Sequence, residues 1–104
     1  MAHYLVRAKP VREKLTDLKR MLDQREIIPM RPFGNTLHHS LENARLEPEG
    51  WAVWEEEDYC HPPLAQERAA VLDEFFTQLT VQAVQPEKGW EQIQDLPRLW
   101  GSKA

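Results

Sequence analysis

Apolar residues recur in the first part of the chain at spacings that predict a strand followed by a helix. Residues 3–8 are rich in β-branched and aromatic side chains, which predicts a strand that Pro10 ends. Residues 11–25 carry apolar side chains at i, i+4, i+7 and i+11, which is the spacing of one helix face. These apolar positions are Val11, Leu15, Leu18 and Leu22. The chain is therefore expected to begin with a strand and an amphipathic helix.

Residues 33–46 fit two different structures. Apolar side chains at i, i+4, i+8 and i+11 favour a helix. The turn-forming residues 47–50 and the strand-like residues 51–57 favour a strand, because a strand that follows a tight turn usually pairs with the segment before it. We therefore predict a strand over at least 42–46 that pairs with 51–57, and we leave 34–41 open between helix and strand.

The second half predicts another helix, a last strand and a helical tail. Pro62 and Pro63 start the helix, because proline is tolerated in a first helical turn. Residues 64–78 then follow a helical pattern and residues 79–84 alternate as a strand, while the tail has apolar residues about three apart. The predicted buried stripe of the helix is Leu64, Val71, Leu72, Phe75 and Phe76, and its polar side is Gln66, Glu67, Arg68, Asp73 and Glu74.

The order strand, helix, strand, strand, helix, strand predicts a ferredoxin-like α+β fold, βαββαβ. In that fold a four-stranded antiparallel sheet carries both helices on one face, here followed by a short C-terminal helical tail. A chain of 104 residues is expected to form a single domain, with its core at about 3–85 and the tail at 86–104. The strand at 51–57 has apolar residues on both faces, so both faces need a cover. We expect a partner sheet in a homodimer, or else the tail of a monomer, to cover the second face.

Composition and charge exclude several classes of protein. The chain has 13 basic and 17 acidic residues, a net charge of −4 and no cluster of Lys or Arg, so we expect no binding to nucleic acid. It has no apolar run of the ~20 residues that span a bilayer and no signal-peptide pattern at its start. Cys60 is the only cysteine, which rules out an internal disulfide. These features predict a cytoplasmic protein that does not bind membranes.

Four consecutive acids at residues 55–58 form the densest set of functional groups, and without them the chain would be neutral. On a strand, Glu55, Glu57 and Tyr59 share one face, with neighbours ~7 Å apart. Two partly buried carboxylates at that separation repel each other, which raises the pKa of one and produces a general acid or base near neutral pH. Glu55, Glu57 and Tyr59 are therefore catalytic candidates.

Trp54 and His39 complete the candidate site. Trp54 is expected to form a wall, with Glu56 and Asp58, on the same strand face, as ligand-binding groups. His39 becomes a fourth catalytic candidate if it lies near the carboxylates, where it would form a His–carboxylate pair. His38 is adjacent to His39 and points elsewhere, and the simpler interpretation is that both are surface or structural groups.

Two other interpretations of residues 55–58 stay open. Acids between a strand and a helix are usually solvated, and they also favour the positive N-terminal end of the helix. Carboxylates suit Mg²⁺ or Mn²⁺, and Cys60 with His61 suits a softer metal. The chain has none of the strong metal-ligand spacings, such as paired Cys-x-x-Cys motifs. We therefore predict neither a metal site nor a cofactor.

The order of elements resembles the dimeric α/β-barrel superfamily of ferredoxin-like proteins over about residues 3–85. The stretch from Trp54 to Arg68 is similar to a signature of uncharacterised bacterial proteins. The resemblance implies a homodimer with a small-molecule site between the open sheet face and the helices. Members of the superfamily include cofactor-free monooxygenases, lactone isomerases and haem-handling enzymes. No catalytic residue carries over, because none of their motifs aligns with this chain.

Two functions are consistent with these features. The first is a small-molecule-binding protein or small enzyme with an acidic, Trp-walled site. The alternative is a non-catalytic interaction module whose acidic strand end and Trp-rich tail dock a basic protein partner. The sequence predicts no reaction and leaves open whether the protein is an enzyme.

Overall fold

In the computed structural model, which describes residues 2–101, the chain forms a four-stranded antiparallel sheet. The strands are β1 (Ala2–Pro10), β2 (Arg45–Leu46), β3 (Ala52–Asp58) and β4 (Phe76–Val84). Their order across the sheet is β2-β3-β1-β4, so β1 is central and β4 is a long edge strand. The prediction of an α+β chain with four antiparallel strands is confirmed.

The helical elements lie between and after these strands. They are a 3-10 turn (Arg12–Lys14), α1 (Leu15–Asp23), α2 (Gly34–Glu42), α3 (Ala65–Glu67), a π-helical turn (Arg68–Leu72), α4 (Asp73–Phe75) and α5 (Lys88–Ile93). The elements between residues 65 and 75 follow one another without a break, and we call them the third helical segment. Within residues 2–101 no helix has the length and apolar character needed to cross a membrane.

The segment at 34–41, which the sequence left open, is helical. Leu37 and Leu41, one turn apart on α2, are completely buried, and this packing decides in favour of a helix. The strand predicted over 42–46 is consequently shorter, because α2 extends to Glu42 and β2 contains only Arg45 and Leu46. Residues 47–50 form the expected turn, in which the amide of Glu47 donates to the carbonyl of Trp51.

The predicted helix over 64–78 ends earlier than its apolar pattern suggests. The third helical segment stops at Phe75, and Phe76 already has extended backbone angles, φ −137° and ψ 152°. As the first residue of β4, Phe76 packs against Trp54 with ring centroids 5.2 Å apart. The apolar stripe did indicate burial correctly, since Phe75 and Phe76 are both buried, but Phe76 reaches the core from the sheet.

The main core lies on one face of the sheet, which we call the first face. Side chains of alternate residues in β1 and β3 point there and pack against α1, α2 and the third helical segment. The sheet contributes Val6, Ala8, Ala52 and Trp54, and the helices contribute Leu18, Leu22, Leu37, Leu41, Leu72 and Phe75. This face also contains the buried side chains of Glu56 and Asp58 at the acidic end of β3.

The tail covers part of the opposite, second face. Helix α5 packs against β3 and β1, and its Gly89 lies so close to Glu55 that an added Cβ would come within 2.8 Å of the carboxylate. Val53, on the same face, is only 1% exposed. The face stays open over β4, where Thr80 and Gln82 are exposed. The predicted tail continues to residue 104, and residues 102–104 lie outside the described part of the chain.

Candidate functional site

The consecutive acids at the end of β3 lie in different surroundings because a strand alternates its side chains between two faces. Glu55 faces the tail on the second face, whereas Glu56 and Asp58 contact groups of the first face. Glu55, Glu56 and Asp58 are each at most 5% exposed, and Glu57 is half-buried. Almost all of the acidic run is therefore folded into the protein rather than solvated.

Glu55 holds the N-terminal end of α5. Its two oxygens accept the backbone N–H groups of Glu87 at 2.9 Å and Trp90 at 3.0 Å. The Nδ1 atom of His3 lies 3.1 Å from the same carboxylate. A carboxylate that receives helix N-terminal amides satisfies donors that the helix itself leaves free. This arrangement gives Glu55 a structural role in fixing the tail.

Asp58 performs a similar task at the start of the third helical segment. One of its oxygens accepts the backbone N–H groups of Leu64 at 2.6 Å and Cys60 at 3.1 Å. Burial alone would raise the pKa of Asp58, but these bonds and one from Glu67 outweigh it and leave the pKa below its ordinary value. Asp58 is therefore held as a charged, oriented carboxylate.

Glu56 and Glu67 form a buried pair of acids beside Asp58. The indole Nε1 of Trp54 donates to one oxygen of Glu56 at 3.0 Å. The second oxygen of Glu56 and one oxygen of Glu67 are buried without a hydrogen-bond partner among the described residues. Burial raises the pKa of Glu56 well above its ordinary value, and the nearby Glu67 adds to the rise despite the bond from Trp54. Burial, followed by a hydrogen bond to Asp58, raises the pKa of Glu67 to about 7.

Cys60 lies next to these carboxylates. Its Sγ atom is 4.0 Å from an oxygen of Glu67, and one ligand atom from each of Asp58, Cys60 and Glu67 lies within 4.8 Å of the others. A hydrogen bond with the backbone of Gln66 lowers the pKa of the thiol, but burial and the charges of Asp58 and Glu67 raise it overall. The thiol is therefore a poor nucleophile at neutral pH, although the three residues offer a donor set for a metal ion.

Two cavities border the acidic end of β3. The larger, which we call the acidic cleft, has a volume of about 630 Å³ and the smaller, the histidine cavity, about 320 Å³. Thr36 and Glu57 line both, so the two cavities adjoin between α2 and the end of β3, and we call them together the groove. Other residues of the acidic cleft include Phe33, Asp58, Tyr59, Cys60, His61 and Glu67; those of the histidine cavity include His3, His39, Glu55 and Trp90.

The groove brings together most of the residues that the sequence singled out. Glu55, Glu57 and His39 line the histidine cavity, and Glu57, Asp58 and Tyr59 line the acidic cleft. Tyr59 is 67% exposed at the mouth. Among residues 2–101, His39 forms no pair with a carboxylate. Its ring packs edge-on against Trp90, with centroids 6.3 Å apart.

Trp54 and Glu56 lie elsewhere, in the core. Trp54 has no exposed surface and Glu56 is 1% exposed, and neither residue lines the groove. His38 is also buried, with its Nε2 atom 3.2 Å from a carboxylate oxygen of Glu42. Trp54 and Glu56, which are hydrogen-bonded to each other, therefore lie in the core behind the groove and do not form its surface.

Glu67 is the functional group that the sequence analysis missed. The prediction that it lies on the polar side of its helix is wrong, because Glu67 is 1% exposed. A signal was present: Leu64, Glu67 and Val71 follow the spacing i, i+3, i+7, which places the glutamate on the buried stripe. The prediction instead followed the general preference of glutamate for solvent-exposed positions.

The raised pKa of Glu67 predicts that the protein loses stability as the pH rises from 4.5 to about 7. Between these values the folded state retains a proton on Glu67 that the unfolded state has released, so the contribution of Glu67 to the free energy of unfolding falls with pH and levels off above about 7. Glu56 acts in the same direction. Urea unfolding at a series of pH values measures the slope. Glu67→Gln should reduce it and the exposed Glu74→Gln should not, and an unchanged slope in Glu67→Gln would contradict the assignment.

Comparisons with known proteins found no matching family model, no matching curated protein and no matching solved structure. The geometry of the groove is therefore the basis on which a function can be argued.

Proposed function

We propose that the protein binds a small, positively charged molecule in the groove formed by the acidic cleft and the histidine cavity. One observation supports this most directly. Glu57, Asp58 and Glu67 line the acidic cleft. Within residues 2–101, no Lys or Arg lines either cavity and no ion pair involves these three acids. Carboxylates in a partly desolvated site favour a cation, because burial without a counter-charge is unfavourable.

The other groups of the groove suit an organic cation. The volumes of about 630 Å³ and 320 Å³ match those of small-molecule sites. The half-buried Phe33 and the exposed Tyr59 provide aromatic surface in the acidic cleft, which attracts ammonium and guanidinium groups. A primary amine or guanidine attached to a small apolar body is therefore the ligand class that we propose.

Glu57 is the best placed of the catalytic candidates if the protein is a small enzyme. It is half-buried and lines both cavities, so a ligand in either one passes beside it. Glu55 is less suited to proton exchange, because both of its oxygens already accept backbone N–H groups. Tyr59 at the mouth and His39 in the histidine cavity are the remaining candidates.

Docking of a basic protein partner by the Trp-rich tail receives less support. The indole N–H of Trp100 donates to the carbonyl of Leu41 at 2.7 Å, and Trp90 packs against His39. Both tryptophans are half-buried, and their rings already contact other residues of the same chain. In the acidic cleft, by contrast, Glu57, Asp58 and Glu67 form no ion pair with another residue of the described range 2–101.

We also propose that the fold is ferredoxin-like and that it forms the expected homodimer. The position of β3 between β1 and β2 supports a split βαβ arrangement, to which α2 is an addition. Because the tail already lies over β3 on the second face, a second copy would contact the open part over β1 and β4. That part contains Leu5, Thr80 and Gln82.

The proposed function predicts that amines bind and their neutral analogues do not. A titration of ¹⁵N-labelled protein with small aromatic amines and guanidines should shift amide signals of residues 57–67 and of Phe33 and Thr36. The matched alcohols should produce no comparable shifts, because they lack the charge that the acids recognise. Each member of the amine series is tested at the same concentration as its alcohol.

Two variants locate the binding. Glu57→Gln removes one charge from the wall shared by both cavities and should weaken amine binding several-fold. Glu49→Gln removes an exposed acid outside the groove and should leave binding unchanged. Equal effects of both variants, or equal shifts from amines and alcohols, would contradict a cation-binding groove.

A further inference from the structure

We propose that Asp58, Cys60 and Glu67 bind a divalent transition-metal ion, of the class of Zn²⁺, at the inner end of the acidic cleft. The inference builds on the proposed function in one respect, since it names a cation that the same groove would hold. It also supplies a role for Glu67 and Cys60, which the recognition of an organic cation does not require.

The three side chains converge closely enough for one ion. One ligand atom from each lies within 4.8 Å of the others, and all three residues line the acidic cleft. Bonds of ~2.0–2.3 Å to a tetrahedral ion place its ligand atoms roughly 3.3–3.8 Å apart. A contraction of about 1 Å would therefore complete the site, and Cys60 is half-buried in the connection before α3.

A second observation points independently to a ligand at this position. Glu67 is 1% exposed, and one of its oxygens is buried without a hydrogen-bond partner among the described residues. Glu56 and Asp58 add two more buried acids beside it, and no ion pair within residues 2–101 joins a Lys or Arg to any of the three. Buried carboxylates need either protons or a cation to neutralise them, and one bound cation can serve the whole group.

The donor types favour a borderline transition metal over Mg²⁺ or Ca²⁺. The hard cations take six or more oxygen ligands, whereas this group contains two carboxylates and one sulfur. Zn²⁺ accepts both donor types and is usually four-coordinate, so three protein ligands leave one position open toward the cleft. The backbone N–H groups of Leu64 and Cys60 orient the Asp58 carboxylate, as outer contacts do for metal ligands.

The test uses the whole chain, treated with a chelator and kept reduced. Calorimetric titration should show one Zn²⁺ per chain, and Mg²⁺ at the same concentration should give no signal. Co²⁺ should produce a sulfur-to-metal charge-transfer absorption in the near ultraviolet. Because Cys60 is the only cysteine, this absorption reports Cys60 alone.

Substitutions identify the ligands. Cys60→Ser should abolish the charge-transfer absorption, and Glu67→Gln should weaken Zn²⁺ binding by at least the ~10–100-fold that loss of an outer-shell partner causes. Glu74→Gln, an exposed acid of α4, is the matched control and should bind as the original chain does. Circular dichroism of each metal-free variant confirms that it is folded.

Several results would overturn the inference: no Zn²⁺ binding, binding that survives Glu67→Gln at full strength, or equal binding of Mg²⁺. The outcome is separable from that of the amine titration. Amine shifts without Zn²⁺ binding would refute the metal site alone. Zn²⁺ binding without amine shifts would support the metal site and refute the recognition of organic cations.

Discussion

Replacing Trp54 by alanine is expected to lower the free energy of unfolding by about 3–5 kcal/mol. Trp54 is completely buried between β3 and the helices and contacts Phe76. Its removal leaves a cavity and also takes away the indole N–H that donates to Glu56. Urea unfolding followed by far-ultraviolet circular dichroism measures the loss, because this signal reports mainly the backbone and so follows unfolding in both proteins.

Two further variants separate the contributions of Trp54. Trp54→Phe retains most of the ring volume but lacks the donor, so it should isolate the loss of the bond to Glu56, about 1–3 kcal/mol. Trp51→Ala changes a half-buried tryptophan under Arg7 and should have a smaller effect than Trp54→Ala. If Trp54→Ala unfolds like the original chain but loses amine binding, Trp54 is a wall of the site after all.

Replacing Glu55 by alanine is expected to detach the tail and to cost roughly 3–6 kcal/mol, because it removes two hydrogen bonds to a charged group that are each worth ~1.5–3 kcal/mol. The carboxylate accepts the amides of Glu87 and Trp90 at the start of α5, and an alanine leaves these donors without a partner. Hydrogen exchange should show faster exchange of amides in 87–93, whereas the amides of β1 paired with β4 keep their protection.

Glu57→Ala is the matched control for this experiment. It removes the next acid on the same side of β3, which is half-buried and contributes to the groove but not to the attachment of α5. The tail amides should exchange at the original rate in this variant. Equal acceleration in both variants would mean that general loss of negative charge, and not the two hydrogen bonds of Glu55, controls the tail.

Residue type, the turn at 47–50 and apolar alternation together predicted the four strands, although β2 is shorter and β4 longer than predicted. In β3, the apolar residues at 51–54 fall on both faces, and the structure covers both, with helices on one side and α5 on the other. The helix at 34–42 was harder to predict, because the turn at 47–50 indicated a strand before it. The structure satisfies both signals by placing the turn after a strand of two residues.

The roles of the acids could not be predicted from local sequence. Glu55 and Asp58 are fixed by backbone N–H groups of Glu87, Trp90, Cys60 and Leu64, and such donors are invisible in a residue pattern. Both helix starts require unusual backbone, since Leu64 and Glu87 have φ of 64° and 71°. Neither residue is a glycine that would have signalled such a conformation.

Glu67 could have been placed correctly if helical spacing had been given more weight than residue type. Its spacing from Leu64 and Val71 is that of a buried position, and the opposing preference of glutamate for water decided the prediction. At such a position, the preference of the polar residue for water conflicts with the burial that the helical spacing assigns to it. Such conflicts occur preferentially at functional sites.

The attachment of Glu55 also has a consequence for how the protein is made. Its carboxylate contacts His3, 52 residues earlier, and the amides of Glu87 and Trp90, 32 and 35 residues later. Contacts of such long sequence separation form late, because most of the chain must be ordered first. During synthesis, the surroundings of Glu55 remain incomplete until residues 87–93 have left the ribosome. A chain that stops before α5 would expose the carboxylate of Glu55, a local defect that makes the strand end more accessible to proteases.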